Sequence, residues 1–182
     1  QGIDRKDEEA VSQILPGLQI EMRYDDNGEQ RMYLNGEDVS REIRMPEISM
    51  FTSAVSALPE VRQFLLEKQR ELARTRDVVM DGRDIGTVVL PDATVKIFLT
   101  AAPEARAQRR CTELRQKGID VSFEEVLKDV QERDYNDTHR AVAPLKAADD
   151  AVVLDTTCLD LEQSLEVLMR MIREGIADAQ RG

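Results

Sequence analysis

The feature that most restricts the fold is three short apolar runs from residue 78 onward, at residues 78–80, 95–99 and 151–154, with Lys96 the one charge among them. Long charged segments of helical periodicity separate them. Apolar runs without polar alternation suit strands buried on both faces, and parallel neighbours need a crossover of a dozen or more residues, usually a helix. The pattern predicts an α/β fold, a parallel sheet with crossover helices. Helix starts are marked at Pro103-Glu104 and at two capping boxes, Ser122 to Glu125 and Asp160 to Gln163. Gly118 fits a C-terminal stop. In the last helix Leu161, Leu165, Leu168, Ile172 and Ile176 form one apolar stripe, expected to pack on the sheet.

The first half reads differently. Asp7-Glu8-Glu9 followed by Ala10, Val11 and Ile14 predicts a short helix stopped by Pro16-Gly17. Leu18, Ile20, Met22 and Tyr24 then alternate with Gln19, Glu21 and Arg23, and Asp25-Asp26-Asn27-Gly28 leads to a second run around Met32 to Leu34, ending in Asn35-Gly36. This is an antiparallel hairpin extending into a small meander. From 47 to 74 the pattern is helical and broken at Leu58-Pro59, so two helices are expected, the second with Val61, Phe64, Leu65 and Leu72 on one side. With no repeat and no Gly/Ser-rich or Pro-rich linker, residues 1–182 read as one domain carrying an insertion over 18–74.

Charge and composition narrow the chemistry. The 25 Lys and Arg against 36 Asp and Glu give a net charge of −11, which repels a nucleic-acid backbone. No run approaches the roughly 18 apolar residues of a membrane span, and no secretory leader is visible, so a cytoplasmic protein without membrane or nucleic-acid partners is expected. Cys111 and Cys158 are isolated from each other and from His139, which favours free thiols over a metal site. His139 itself is expected to be an ordinary exposed side chain.

In an open parallel sheet, ligands bind at the carboxyl ends of the strands, where Asp81-Gly82-Arg83-Asp84 follows Met80. Gly82 would let the backbone approach a ligand, Arg83 offers a planar fork for phosphate oxygens, and Asp84 is an acceptor beside it. An Arg–Asp ion pair capping the sheet edge fits the turn equally well. Arg133, Asp137 and Arg140, at i, i+4 and i+7 on a predicted helix, suit a sugar phosphate or, alternatively, an exposed salt-bridge ladder. Arg106, Arg109 and Arg110 share a helix face without nearby acids, and like charges at such spacing favour an external polyanion.

The order of these residues, Val79-Met80-Asp81-Gly82-Arg83-Asp84-Ile85-Gly86-Thr87-Val88-Val89, Pro91-Asp92-Ala93, Lys96-Ile97-Phe98-Leu99-Thr100, Arg133-Asp134, Arg140-Ala141-Val142-Ala143-Pro144-Leu145 and Leu154-Asp155-Thr156, resembles the bacterial cytidylate kinases over essentially the whole chain. The resemblance implies a P-loop nucleoside monophosphate kinase fold. It also implies transfer of the ATP γ-phosphoryl group to CMP or dCMP with Mg2+, by a monomer whose insertion over 18–74 binds the acceptor nucleotide and whose lid and flanking helices span 103–140. By the same resemblance Arg83 binds the CMP phosphate, and Ser53, Arg62 and Asp84 read the cytosine. Arg133 and Asp137 hold the sugar and phosphate side, Arg140 the base or sugar side, and Arg109 and Arg110 belong to the lid over the ATP phosphates. Arg83, Arg133, Arg109 and Arg110 are thus the expected catalytic set, with no metal-ligating side chain assigned.

The resemblance also implies a phosphate-cradling loop, Gly-x-x-x-x-Gly-Lys-Ser/Thr, and none occurs in these 182 residues. The chain begins with Gln1 rather than Met. The expectation is an N-terminally truncated kinase lacking the central strand and P-loop, inactive as it stands. A natural non-catalytic CMP-binding fragment and a neighbouring nucleoside monophosphate kinase are the alternatives.

Overall fold

The computed structural model describes residues 8–45, 48, 55, 58–140 and 142–181. Its internal contacts group into two units, residues 1–77 and 78–182.

In the first unit, α1 (Glu8–Ile14) carries Glu8 and Glu9 in its first turn, where carboxylates oppose the positive end of the helix dipole. Pro16 converts the chain to a single 3-10 turn, Leu15–Gly17. An antiparallel meander follows, β1 (Ile20–Tyr24), β2 (Gln30–Leu34) and β3 (Glu37–Asp38), with Ile20 opposite Leu34 and Met22 opposite Met32. Its first loop is organised by Asp25. One carboxylate oxygen accepts the backbone N–H groups of Asn27 at 3.0 Å and Glu29 at 2.9 Å, and the other takes the Arg31 fork at 2.9 and 2.7 Å. The Arg31 hydrogen bond, aided by these amides, holds the Asp25 carboxyl below its ordinary range.

Helix α2 (Pro59–Thr75) starts with its proline in the first turn, where the missing N–H costs nothing. The other helix expected between 47 and 58 falls mainly outside the described residues. Val11, Leu15 and Val61 are buried together, with Leu18, Val55, Leu58, Phe64 and Leu65 packed around them. Each such aliphatic side chain contributes about 1.5–3 kcal/mol when fully buried.

The second unit holds β4 (Ile97–Thr100) and β5 (Val152–Asp155), paired in parallel with Ile97 opposite Val152 and Leu99 opposite Leu154. Between them run α3 (Pro103–Gln116) and α4 (Phe123–His139), a helical hairpin that forms the crossover. The hairpin turns on Gly118, whose φ of 77° is left-handed. There the Gly118 N–H reaches the Arg115 carbonyl and the Ile119 N–H reaches the Leu114 carbonyl, closing the end of α3. Ser122 then caps α4 in a reciprocal box with Glu125. Ala107, Cys111 and Val126 are buried between the two helices, flanked by Leu114, Val121, Phe123, Leu127 and Val130. Asp160 and Gln163 form the second predicted box at the start of α5 (Leu161–Ala179). Among the described residues no helix is long and apolar enough to cross a membrane.

Two expectations are corrected. Residues 78–80 form no strand, and Val79 is 93% exposed. A strand exists through its ladder, and in this unit the described sheet consists of β4 and β5 alone, neither paired to that run. The α5 stripe is not buried either: Leu161 is 86% exposed, and Leu165 and Ile176 are also exposed. Two strands are too narrow to cover a helix of 19 residues, about 28 Å long. One close approach is at Gly175, where a Cβ would stand 2.8 Å from the Val95 side chain.

Candidate functional site: a corner of crossed ion pairs

The turn after Met80 is fixed from its far side. Ile85–Val89 forms a π-helical turn, in which the Asp84 carbonyl accepts the N–H of Val88 at 2.8 Å and of Val89 at 3.2 Å, and Leu90 N–H reaches Ile85 at 2.7 Å. Such turns are rare and occur often at functional sites. Val89 is buried at 4% exposure and pins the turn to the unit. Gly82 is required here for a reason other than the one expected. A Cβ at that position would meet Ile85 Cγ1 at 2.8 Å, so the missing side chain lets Ile85 fold back over the turn.

Arg83 and Asp84 both face the end of α4. Arg83 Nε donates to Asp137 Oδ2 at 2.8 Å, and Arg140 Nη2 lies 3.8 Å from Asp84 Oδ1. The two pairs cross, each taking a cation from one element and a carboxylate from the other. Asp84 and Asp137 are the more enclosed partners, with 16% and 21% of their side chains exposed. Arg140 is not on the helical face predicted for it. The helix ends at His139, and Arg140 is the extended residue after it, with Nε donating to the Ala143 carbonyl at 2.5 Å. Its Nη2 is buried without a hydrogen-bond partner, because 3.8 Å to Asp84 is too long for one. A buried guanidinium donor is costly to leave unsatisfied, so this corner has unused capacity to bond an acceptor.

The arginines of α3 correct a further expectation. Far from lacking acids, Arg106 forks onto Asp134 of α4, with Nη1 to Oδ1 at 2.8 Å and Nη2 to Oδ2 at 2.5 Å. Arg110 pairs with Glu113 at 2.8 Å, one turn along its own helix. Arg109 donates to the Thr156 carbonyl, to Leu159 O at 3.1 Å and to Thr156 Oγ1 at 3.3 Å, tying α3 to the chain after β5. The Arg106 hydrogen bond holds the Asp134 carboxyl below its ordinary range, and the nearby charges of Arg106, Arg83 and Arg133 act in the same direction. The Asp134 partnership raises Arg106 correspondingly. Asp134 was not singled out by sequence as a site residue. The signal was available: in a helical hairpin the first turn of α3 and the last turns of α4 must meet.

Arg133 stands exposed on α4, one turn before Asp137, with no ion pair among the described residues. Arg62 is half-buried on α2 of the first unit, and Ser53 lies outside the described residues. His139 is exposed, as expected, and stacks on Tyr135 with ring centroids 4.1 Å apart. Among the described residues, no three His, Cys, Asp or Glu side chains converge where a metal ion would sit.

The family model for cytidylate kinase matches residues 1–174. The chain is 48% identical over 174 residues to the cytidylate kinase of Flavobacterium johnsoniae, a match spanning 95% of this chain and 76% of that protein. It is 47% identical over 169 residues to the cytidylate kinase of Caldicellulosiruptor bescii, covering 93% and 74% of the two chains. To that of Aeromonas salmonicida it is 43% identical over 177 residues, covering 97% and 76%. A match of this extent, running through the turn after Met80 and the whole of α4, establishes that the chain belongs to the cytidylate kinase family.

Proposed function

We propose that this chain supplies the acceptor half of a nucleoside monophosphate kinase that moves the γ-phosphoryl group of ATP to CMP or dCMP, giving CDP or dCDP. The observation that carries the reading is the meeting of Arg83, Asp84, Asp137 and Arg140 in one corner, with a buried Arg140 donor left unbonded. Arg83 takes the acceptor phosphate through its Nη groups while its Nε stays on Asp137. Arg133 and Asp137 serve the sugar and phosphate side, and Arg140 the base or sugar side. Asp84 reads cytosine, a role that the family resemblance also gives to Ser53 and Arg62. Cytosine presents an N4 amine to a carboxylate, whereas uracil presents an oxygen, and such a buried polar mismatch discriminates strongly. Arg109 and Arg110, within the lid segment 103–140, exchange their internal acceptors for ATP phosphates on closure.

Family membership implies the P-loop nucleoside monophosphate kinase fold, with ATP and Mg2+ as donor and metal. Mg2+ in such sites is held by one or two carboxylates together with substrate phosphates and water, so a dedicated protein cage is not required. Phosphoryl transfer depends on positioning and charge neutralisation more than on a protein nucleophile, which suits a site rich in arginine.

The test is Asp84→Asn. Calorimetric titration with CMP and UMP is expected to show the preference for CMP falling about tenfold or more, and an unchanged ratio removes the base-reading role. These 182 residues contain no Gly-x-x-x-x-Gly-Lys-Ser/Thr loop to cradle ATP phosphates. By itself the chain is accordingly expected to bind ATP far more weakly than CMP, and micromolar ATP affinity in the same titration would overturn that.

A further inference from the structure

We propose that Asp134, gripped by Arg106, is a positioning residue for the acceptor corner: it sets α4 so that Asp137 meets Arg83. The nature of the ligand rests on the function proposed above; the positioning itself rests on the geometry of the second unit. Arg106 uses all three of its nitrogens. Nη1 and Nη2 fork onto the two Asp134 oxygens, and Nε donates to the Ala101 carbonyl at 3.0 Å, just beyond β4. One rigid guanidinium plane therefore ties the carboxyl end of a sheet strand to α4, and a two-point fork fixes orientation as well as distance.

Its place along the helices makes this grip decisive. On α4 the buried apolar contact is Val126, about 12 Å of helix away from Asp134, and the last residue packed on that cluster is Val130, one turn before Asp134. Beyond Asp134, α4 has one more turn before it ends at His139. Asp137 lies three residues on, about 4.5 Å along the axis and on the neighbouring side of the next turn, so it inherits whatever rotation Asp134 is given. Both side chains of the fork are about one-third exposed, at 35% and 36%. A pair so exposed contributes little to global stability, so its main effect is geometric. The cations closest in effect to the Asp134 carboxylate are Arg106, Arg83 and Arg133, two of them the phosphate- and sugar-side residues proposed above.

The experiment is a double-mutant cycle on the full chain, titrated with CMP by calorimetry: the parent, Asp134→Asn, Asp137→Asn and the double variant, with Arg106→Lys as a separate arm. Asp134→Asn is expected to weaken CMP about tenfold, since misplacement of about 1 Å at a site costs up to about a hundredfold. In the Asp137→Asn background that loss should shrink to about twofold or less, because the effect passes through Asp137. Arg106→Lys keeps the charge but loses the fork, and should behave like Asp134→Asn. Equal losses in both backgrounds, a loss below about twofold in the parent, or full function in Arg106→Lys would overturn the proposal. If the parent itself fails to bind CMP, the acceptor-site reading falls instead. Amide exchange then decides the positioning: Asp134→Asn should speed exchange at residues 135–139 and leave 97–100 unchanged, and unaltered exchange at 135–139 would overturn it.

Discussion

Replacing Arg83 by Gln separates the stabilising part of this residue from its proposed ligand-binding part. Its Nε lies 2.8 Å from Asp137 Oδ2. At an effective dielectric of about 20, two unit charges so placed attract by about 6 kcal/mol before any desolvation is charged against them. Arg83 is 39% exposed and Asp137 21% exposed. Solvent screening and desolvation therefore reduce the net contribution to about 1 kcal/mol, with up to about 1 kcal/mol more lost because Asp137 is left without its partner. For a unit of this size that corresponds to a fall in thermal midpoint of about 5–10 °C. The loss in binding should be larger and selective. Removing a charged fork from a phosphate costs about 1.5–3 kcal/mol, or roughly ten- to a hundredfold, whereas cytidine, which has no phosphate, should lose no more than about threefold. Thermal unfolding followed by circular dichroism, with calorimetric titration of CMP and cytidine, measures both. Equal losses for the two ligands, or destabilisation beyond about 3 kcal/mol, would show that Arg83 holds the fold rather than a phosphate.

Two further outcomes follow from the same structure. The carboxyls of Asp25, Asp38, Glu113, Glu125, Asp134, Asp150 and Asp155 all lie below their ordinary range, each chiefly because of a side-chain hydrogen bond to Arg, Lys, Ser or Thr. Groups depressed in this direction add stability above their unfolded values near 4 and lose it as pH falls through the folded ones. The thermal midpoint should therefore be level from pH 7 to about 5 and drop steeply below about 4, and a midpoint rising into that range would contradict the assignment. Ser122→Ala, which removes the hydroxyl that accepts Glu125 N–H at 3.2 Å, should cost about 1 kcal/mol in denaturant unfolding, with Ser122→Asp restoring most of it.

What could be read from the sequence was decided by near neighbours. The boxes at Ser122 and Asp160 and the turn at Gly118 stand where the local pattern placed them, because each is closed by residues three or four positions away. The alternation from Ile20 to Tyr24 fixed the hairpin for the same reason. Pairings across long stretches were not legible. Arg106 seemed to lack an acid because its partner is 28 residues on, and Arg109 is satisfied by backbone carbonyls 47 and 50 residues away, which no count of charges reveals. Arg110 has an acid within reach on its own helix, Glu113, which the sequence already shows three residues on. The apolar runs at 78–80 and along α5 state what those residues can bury, and burial also needs a covering neighbour. The turn after Met80 points to Arg83 and Asp84, and helical spacing points to Asp137 and Arg140. That they engage one another as crossed pairs emerged only from the structure.

The crossed pairs also carry a message about the order of assembly. The α3–α4 hairpin is built from near neighbours and closes through one short connection, so it can form on the timescale of local contacts. The β4–β5 ladder joins Ile97 to Val152, and Arg83 must find Asp137 across 54 positions. Loop closure of that length is slow and must be completed before its contacts repay it. Arg83 and Asp84 are therefore expected to dock onto a helix end already in place, so that the crossed pairs form after the hairpin that presents them. Substitutions within the hairpin should then slow folding, whereas substitutions of the crossed pairs should mainly hasten unfolding.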